Sequence, residues 1–121
     1  MKTYTALFLA AVVGLASLNV SADAAKTIEA VYKEKTKLDG KQVTVTGKVV
    51  KVNNGIMGRN FLHLQDGTGG KDNNDLSVTS NDTAKVGDKV TVVGKVTLNK
   101  DFGAGYAYPL LVEEASIKPA K

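Results

Sequence analysis

Arg59, Phe61 and His63 alternate along one short apolar segment, so an extended backbone sends all three side chains to the same face. Lys48 and Lys51 lie in the apolar segment just before them, and Phe102, Tyr106 and Tyr108 sit in or beside a glycine-rich stretch far along the chain. Rings interleaved with cations support one kind of chemistry. Aromatic faces stack on flat groups such as nucleobases, at about 1–3 kcal/mol per base, and lysines follow phosphates. These residues form the candidate ligand-binding set. A packing role competes with it, in which Phe61 lies beneath an N-terminal helix and the two tyrosines brace their loop.

Covalent catalysis has no support in the chain. His63 is its single His, Cys is absent, and no Gly-x-Ser-x-Gly elbow supplies a nucleophile. Glu113 and Glu114 are neighbours, which a strand sends to opposite faces, and Asp72 and Asp75 fall in a turn, so both pairs read as solvated charges. The stretch 66–75 is rich in Asp and Asn but lacks the ligand spacing and distal Glu of a calcium loop. No catalytic residue, metal site or cofactor is assigned, and the chain reads as a non-enzyme.

The first residues bear on where the protein works. Lys2, an apolar run over 6–18 and the small-residue pattern Val20-Ser21-Ala22 before Asp23 read as a cleavable secretory signal over 1–22. The run is too short to span a bilayer, which takes about 20 helical residues. No Cys follows it for lipid attachment, so the expectation is a periplasmic or secreted protein with no integral membrane segment after cleavage. Residues 23–121 then suffice for one compact domain, held without disulfides by an ordinary apolar core. The whole chain carries a formal charge of +4, with lysines scattered among acids rather than gathered in a stripe.

The candidate residues must be positioned by a small set of elements. Residues 27–38 place Ile28, Val31, Lys35 and Leu38 at helical spacing, with Glu29 early and Lys37 late as the helix dipole favours. Residues 41–52 alternate as a strand whose apolar phase slips at Val49-Val50, which predicts a bend or bulge. Residues 60–65 form a second strand with Leu62 and Leu64 on one face and Phe61 and His63 on the other. Residues 75–79 form a third, 89–98 a fourth, and 108–117 a fifth after a loop over 99–106. Residues 80–86 connect the third and fourth strands, and Asn81 or Asp82 there is suited to cap a single helical turn. The heptapeptide Val-Thr-Val-x-Gly-Lys-Val occurs at both 43–49 and 90–96, as expected if two strands need the same bend.

A mainly β chain of five strands, long and glycine-bent at the first and fourth, with a short N-terminal helix, suits the Greek-key barrel called the OB-fold. The segments Gly40-Lys41-x-Val43-x-Val45-x-Gly47-x-Val49, Phe61-x-x-Leu64-x-Asp66-Gly67-Thr68-Gly69 and Val86-Gly87-Asp88-x-Val90-x-Val92-x-Gly94 resemble bacterial OB-fold proteins of the nucleic-acid-binding, tRNA-anticodon-like type. The exported layout is also similar to small periplasmic OB proteins encoded beside respiratory nitrite reductases. The resemblance implies a monomeric binding protein, with single-stranded nucleic acid or another extended ligand as its partner. The alternative it implies is an accessory protein that docks on an exported respiratory enzyme. Weak metal carriage is a third possibility, since such barrels include copper chaperones. After cleavage of the leader, Met57 and His63 are the only soft ligands available for it. Haem handling would need a Tyr four residues after His63, where Gly67 stands.

Overall fold

The structure, a computed structural model, describes residues 25–103 and 105–120; the expected leader over 1–22 lies outside them. Among the described residues, two short helices, α1 (Ile28–Lys33) and α2 (Lys35–Leu38), precede β1 (Gln42–Ile56), β2 (Arg59–Gln65), β3 (Leu76–Ser80), β4 (Lys89–Asp101) and β5 (Ala107–Pro119). The strands close into a ring in the order β1-β2-β3-β5-β4 and back to β1. All neighbours are antiparallel except β3 and β5. Alternation drives the closure. Val43, Val45 and Val49, Leu62 and Leu64, Leu76 and Val78, Val90, Val92 and Val96, and Leu110, Val112 and Ile117 all point inward and are buried. A ring also leaves no sheet edge unpaired.

The slip in β1 appears where the valines place it. The register against β2 shifts between Val49 and Lys51. Val50 is the residue turned out, 36% exposed, and Val52 returns against the core. The repeated heptapeptide also has a structural meaning. Its two copies pair with each other antiparallel, so that Val43 lies opposite Gly94, Gly47 opposite Val90, and Val45 opposite Val92. A local two-fold axis therefore relates them.

Two boundaries differ from expectation. The N-terminal helix divides at Glu34, whose backbone leaves helical geometry at φ −104° and ψ 14°. The loop expected over 99–106 is shorter, because β4 continues through Asp101 and β5 begins at Ala107. Lys100 pairs with Tyr108 and Asp101 with Ala107, leaving a tight turn closed by the Phe102 N–H on the Tyr106 carbonyl at 2.8 Å. Residues 80–86 form no helical turn, and Asp82 instead accepts the Ile117 N–H at 3.0 Å.

Asp66 and Thr68 hold α1 against the barrel. A helix start leaves amides without partners, and here Thr27 accepts the Ala30 N–H at 3.1 Å. Asp66 accepts the Ile28 N–H at 2.9 Å, and the Thr68 hydroxyl accepts the Glu29 N–H at 3.1 Å. The same Asp66 carboxylate takes the Thr68 N–H at 3.0 Å and its hydroxyl at 2.6 Å. Burial works to raise the Asp66 carboxyl, but the hydrogen bonds from Thr68 and Ile28 together outweigh it and hold the group below the usual carboxylate range. Asp66→Ala is expected to cost about 1–2 kcal/mol, or roughly 5–15 °C in Tm, at neutral pH. Because the folded value is the lower one, that stability is present above the unfolded carboxyl value of about 3.9 and is lost as pH falls through the folded value. Melts of both proteins should therefore show a gap at neutral pH that narrows in strong acid. A gap of constant size would rule out the carboxylate as its source.

Candidate functional site

Phe61 faces away from the barrel interior, as the alternation of β2 predicts, yet it is only 2% exposed. Its cover comes from the β4–β5 hairpin rather than from α1. The ring centroid of Phe61 lies 5.4 Å from Phe102 in an edge-on contact, 5.8 Å from Tyr106 and 5.9 Å from Tyr108. Phe102 and Tyr108 meet edge-on at 6.2 Å. Such pairs contribute about 0.5–1.5 kcal/mol each beyond the area they bury. The floor continues across the sheet through Thr79, which pairs with Phe61, to Leu111, which alternation turns outward on β5; both are buried. This is a second small core on the outer face.

The charged residues gather at its rim. The Arg59 guanidinium lies 5.2 Å from the centre of the Phe102 ring and the Lys100 ammonium 5.3 Å from it, a geometry in which the ring face attracts cations. Both cations also approach one Glu113 oxygen, at 3.8 Å and 3.7 Å. Glu113 is thus a positioning anion, where the sequence offered only a solvated charge. Phe102, Tyr106 and Tyr108 stay half-exposed. Burial pushes the Tyr108 hydroxyl up, with the neighbouring Tyr106 adding to it, so the ring presents a neutral donor.

The remaining candidates lie elsewhere. The His63 Nδ1–H donates to one Asp75 carboxylate oxygen at 2.7 Å, and the Gln65 side-chain amide donates to the other at 3.2 Å. The Asp75 carbonyl accepts the Tyr32 hydroxyl at 2.5 Å, and burial together with the Asp75 charge pushes that hydroxyl up. Asp75 therefore joins β2, the 66–75 connection and α1, a bonded residue rather than a free turn charge. Lys51 pairs with His63 across β1 and β2. Lys48 sits at the opposite end of the ring, beside Gln65 and Lys89. The structure thus unites Arg59, Phe61, Phe102, Tyr106 and Tyr108, leaves Lys48, Lys51 and His63 outside that group, and adds Lys100 and Glu113 to it. Lys100 stands opposite Tyr108 and Glu113 opposite Lys95 in the β4–β5 ladder, and no local pattern signals that their side chains meet beside Arg59.

Among the described residues, no group of His, Asp and Glu has metal-ligand geometry. Met57 stands 43% exposed in a β1–β2 turn, at φ 53°. No helix among them is long and apolar enough to cross a membrane.

No family model and no curated protein matches the chain. Among solved structures, it is similar to a DUF3299 family protein from Pseudomonas aeruginosa, at 16% identity and a TM-score of 0.47, over 70% of this chain and 64% of that one. It is also similar to an OBody bound to hen egg-white lysozyme, at 16% identity and a TM-score of 0.52, over 69% of this chain and 84% of that one. At that identity, the likeness to the OBody is one of fold.

Proposed function

We propose that the protein is a non-enzymatic, exported binding module on the OB-fold plan, which holds an extended ligand carrying flat and anionic groups across the Arg59, Phe102, Tyr106 and Tyr108 face. The observation that carries this reading is the half-exposed Phe102 ring, flanked by Arg59 and Lys100 and seated on the buried Phe61. The ring order of the strands supports the plan, since OB barrels bind oligonucleotides on the face of strands two and three and on the loop joining four and five. Phe61 belongs to the former and Phe102 and Tyr106 to the latter. Phe61 acts here as the seat of the platform, and the rings above it do the stacking. Export rests on the reading of 1–22 as a leader.

Single-stranded nucleic acid is the ligand to test. Fluorescence anisotropy with a labelled mixed-sequence strand should show binding that weakens as salt rises, because phosphate contacts release counterions. Phe102→Ala should weaken it by roughly 5- to 100-fold, the loss of one stacked base. Binding of equal strength by Phe102→Ala would remove the platform. A protein that ignores the strand at low salt would turn the reading to docking on an exported partner protein.

A further inference from the structure

At the far end of the ring from the aromatic face lies a groove of about 1120 Å³, open to solvent and somewhat above the range of about 300–1,000 Å³ in which proteins hold small molecules. The β1 bulge pushes Val50 into it, and the turn after β3 brings in Val86, 65% exposed. That turn is pinned rather than loose. The Gly87 N–H donates to the Val49 carbonyl and the Val49 N–H to the Asp88 carbonyl, both at 2.8 Å. Val50 and Val86 thus form a fixed apolar wall.

The last rung of the β1–β4 ladder supplies the charge. Lys48 lies directly opposite Lys89, both are exposed, and both line the groove. Like charges in that relation repel, and among the described residues neither lysine takes part in an ion pair. Among the described residues, Asp66 is the one carboxylate lining the groove, and it is engaged by the amides of Ile28 and Thr68. Nearby Asp88 accepts the Lys85 N–H at 3.0 Å. Two cations that form no ion pair among the described residues therefore stand beside a fixed apolar wall.

We propose that this groove binds a small amphiphilic carboxylate, its acid group between Lys48 and Lys89 and its alkyl chain along Val50 and Val86. The acid relieves the lysine pair, and the chain covers valines that otherwise face water. This site is separate from the aromatic face and goes beyond the function proposed for it.

Decanoate is the probe, titrated into the protein in carboxylate-free buffer and followed by amide-resolved NMR. Acetate and decyltrimethylammonium serve as controls for the chain and the charge. The expected result is saturable shifts at Val49, Val50, Gly87 and Lys89 with decanoate, and none there with either control. Lys48→Gln combined with Lys89→Gln should weaken decanoate roughly tenfold, as loss of charged hydrogen bonds does, without lowering Tm, since it removes a repulsion. Val86→Ser, at an exposed turn, should weaken it as well and leave the fold intact. The proposal is overturned if decanoate gives no saturable shifts there, if decyltrimethylammonium binds the groove equally well, or if the double lysine variant binds decanoate unchanged.

Discussion

A Phe61→Ala protein is expected to lose about 3 kcal/mol of stability and to melt roughly 12–24 °C below the wild type, at the low end of the cost of deleting a buried aromatic ring. The low end applies because the three rings above Phe61 are half-exposed and can settle partway into the space. The loss is still a large part of the roughly 5–15 kcal/mol that holds a domain together. It should also have a location. Phe61 lies outside the ring of inward valines and leucines, so the barrel core keeps its contacts while the tip of the β4–β5 hairpin loses its seat. Hydrogen exchange should accelerate at the Phe102 and Tyr106 amides, which close the tip, and change little at Val45 and Val92. A variant that melts within a degree or two of wild type would mean that the hairpin does not depend on Phe61.

Gly94→Ala should be comparably damaging for the opposite reason. A Cβ at Gly94 would lie 2.7 Å from Val112 Cγ1 and 2.9 Å from both the Ala115 Cβ and the Glu113 carbonyl oxygen. Real Cβ atoms do not approach that closely, and the crowding atoms belong to a fully buried valine and to β5 backbone that is locked in the ladder. Overpacking of this kind costs about 1–3 kcal/mol, and the backbone contact puts Gly94→Ala at about 3 kcal/mol. The β4–β5 register shifts between Val93 and Lys95, so Gly94 is where the two strands press together as the sheet curls. Chemical denaturation should show the midpoint falling, and adding Ala115→Gly should recover part of the loss by removing one of the crowding atoms. An unshifted midpoint would refute the close approach.

How much of this could be read from the residues depended on the range of the interactions. Val43, Val45, Leu62 and Leu64 announced their strands through alternation alone, and the broken phase at Val49-Val50 located the bulge. The outward direction of Phe61 followed from the same rule. What covers Phe61 did not, because Asn99, Lys100 and Asp101 are polar and stand before a glycine-rich turn, so their strand character comes only from pairing with β5. The motif Asp66-Gly67-Thr68 read as a turn, which it is. Its grip on α1 spans nearly forty positions, and neither partner carries a local signal of the other. The same holds for His63 and Asp75, which are joined only once β2 and the following connection are folded.

The pairing of the two heptapeptides has a further consequence. Val43 to Val49 and Val90 to Val96 differ at one position, Thr46 against Val93, and their ladder is centred on the Val45–Val92 pair, with Val43–Gly94 on one side mirrored by Gly47–Val90 on the other. It is a near-palindrome, broken where Thr46 answers Val93, and such a seam distinguishes poorly between the strand it belongs to and an identical strand from another molecule. While the ring is open, β1 of one chain meets the same complement in β4 of a neighbour as in its own β4. The last step of closure is then a contest between an intramolecular partner at high effective concentration and an intermolecular one with equal chemistry. Crowded chains would settle that contest toward strand exchange, and dilute ones toward the closed monomer.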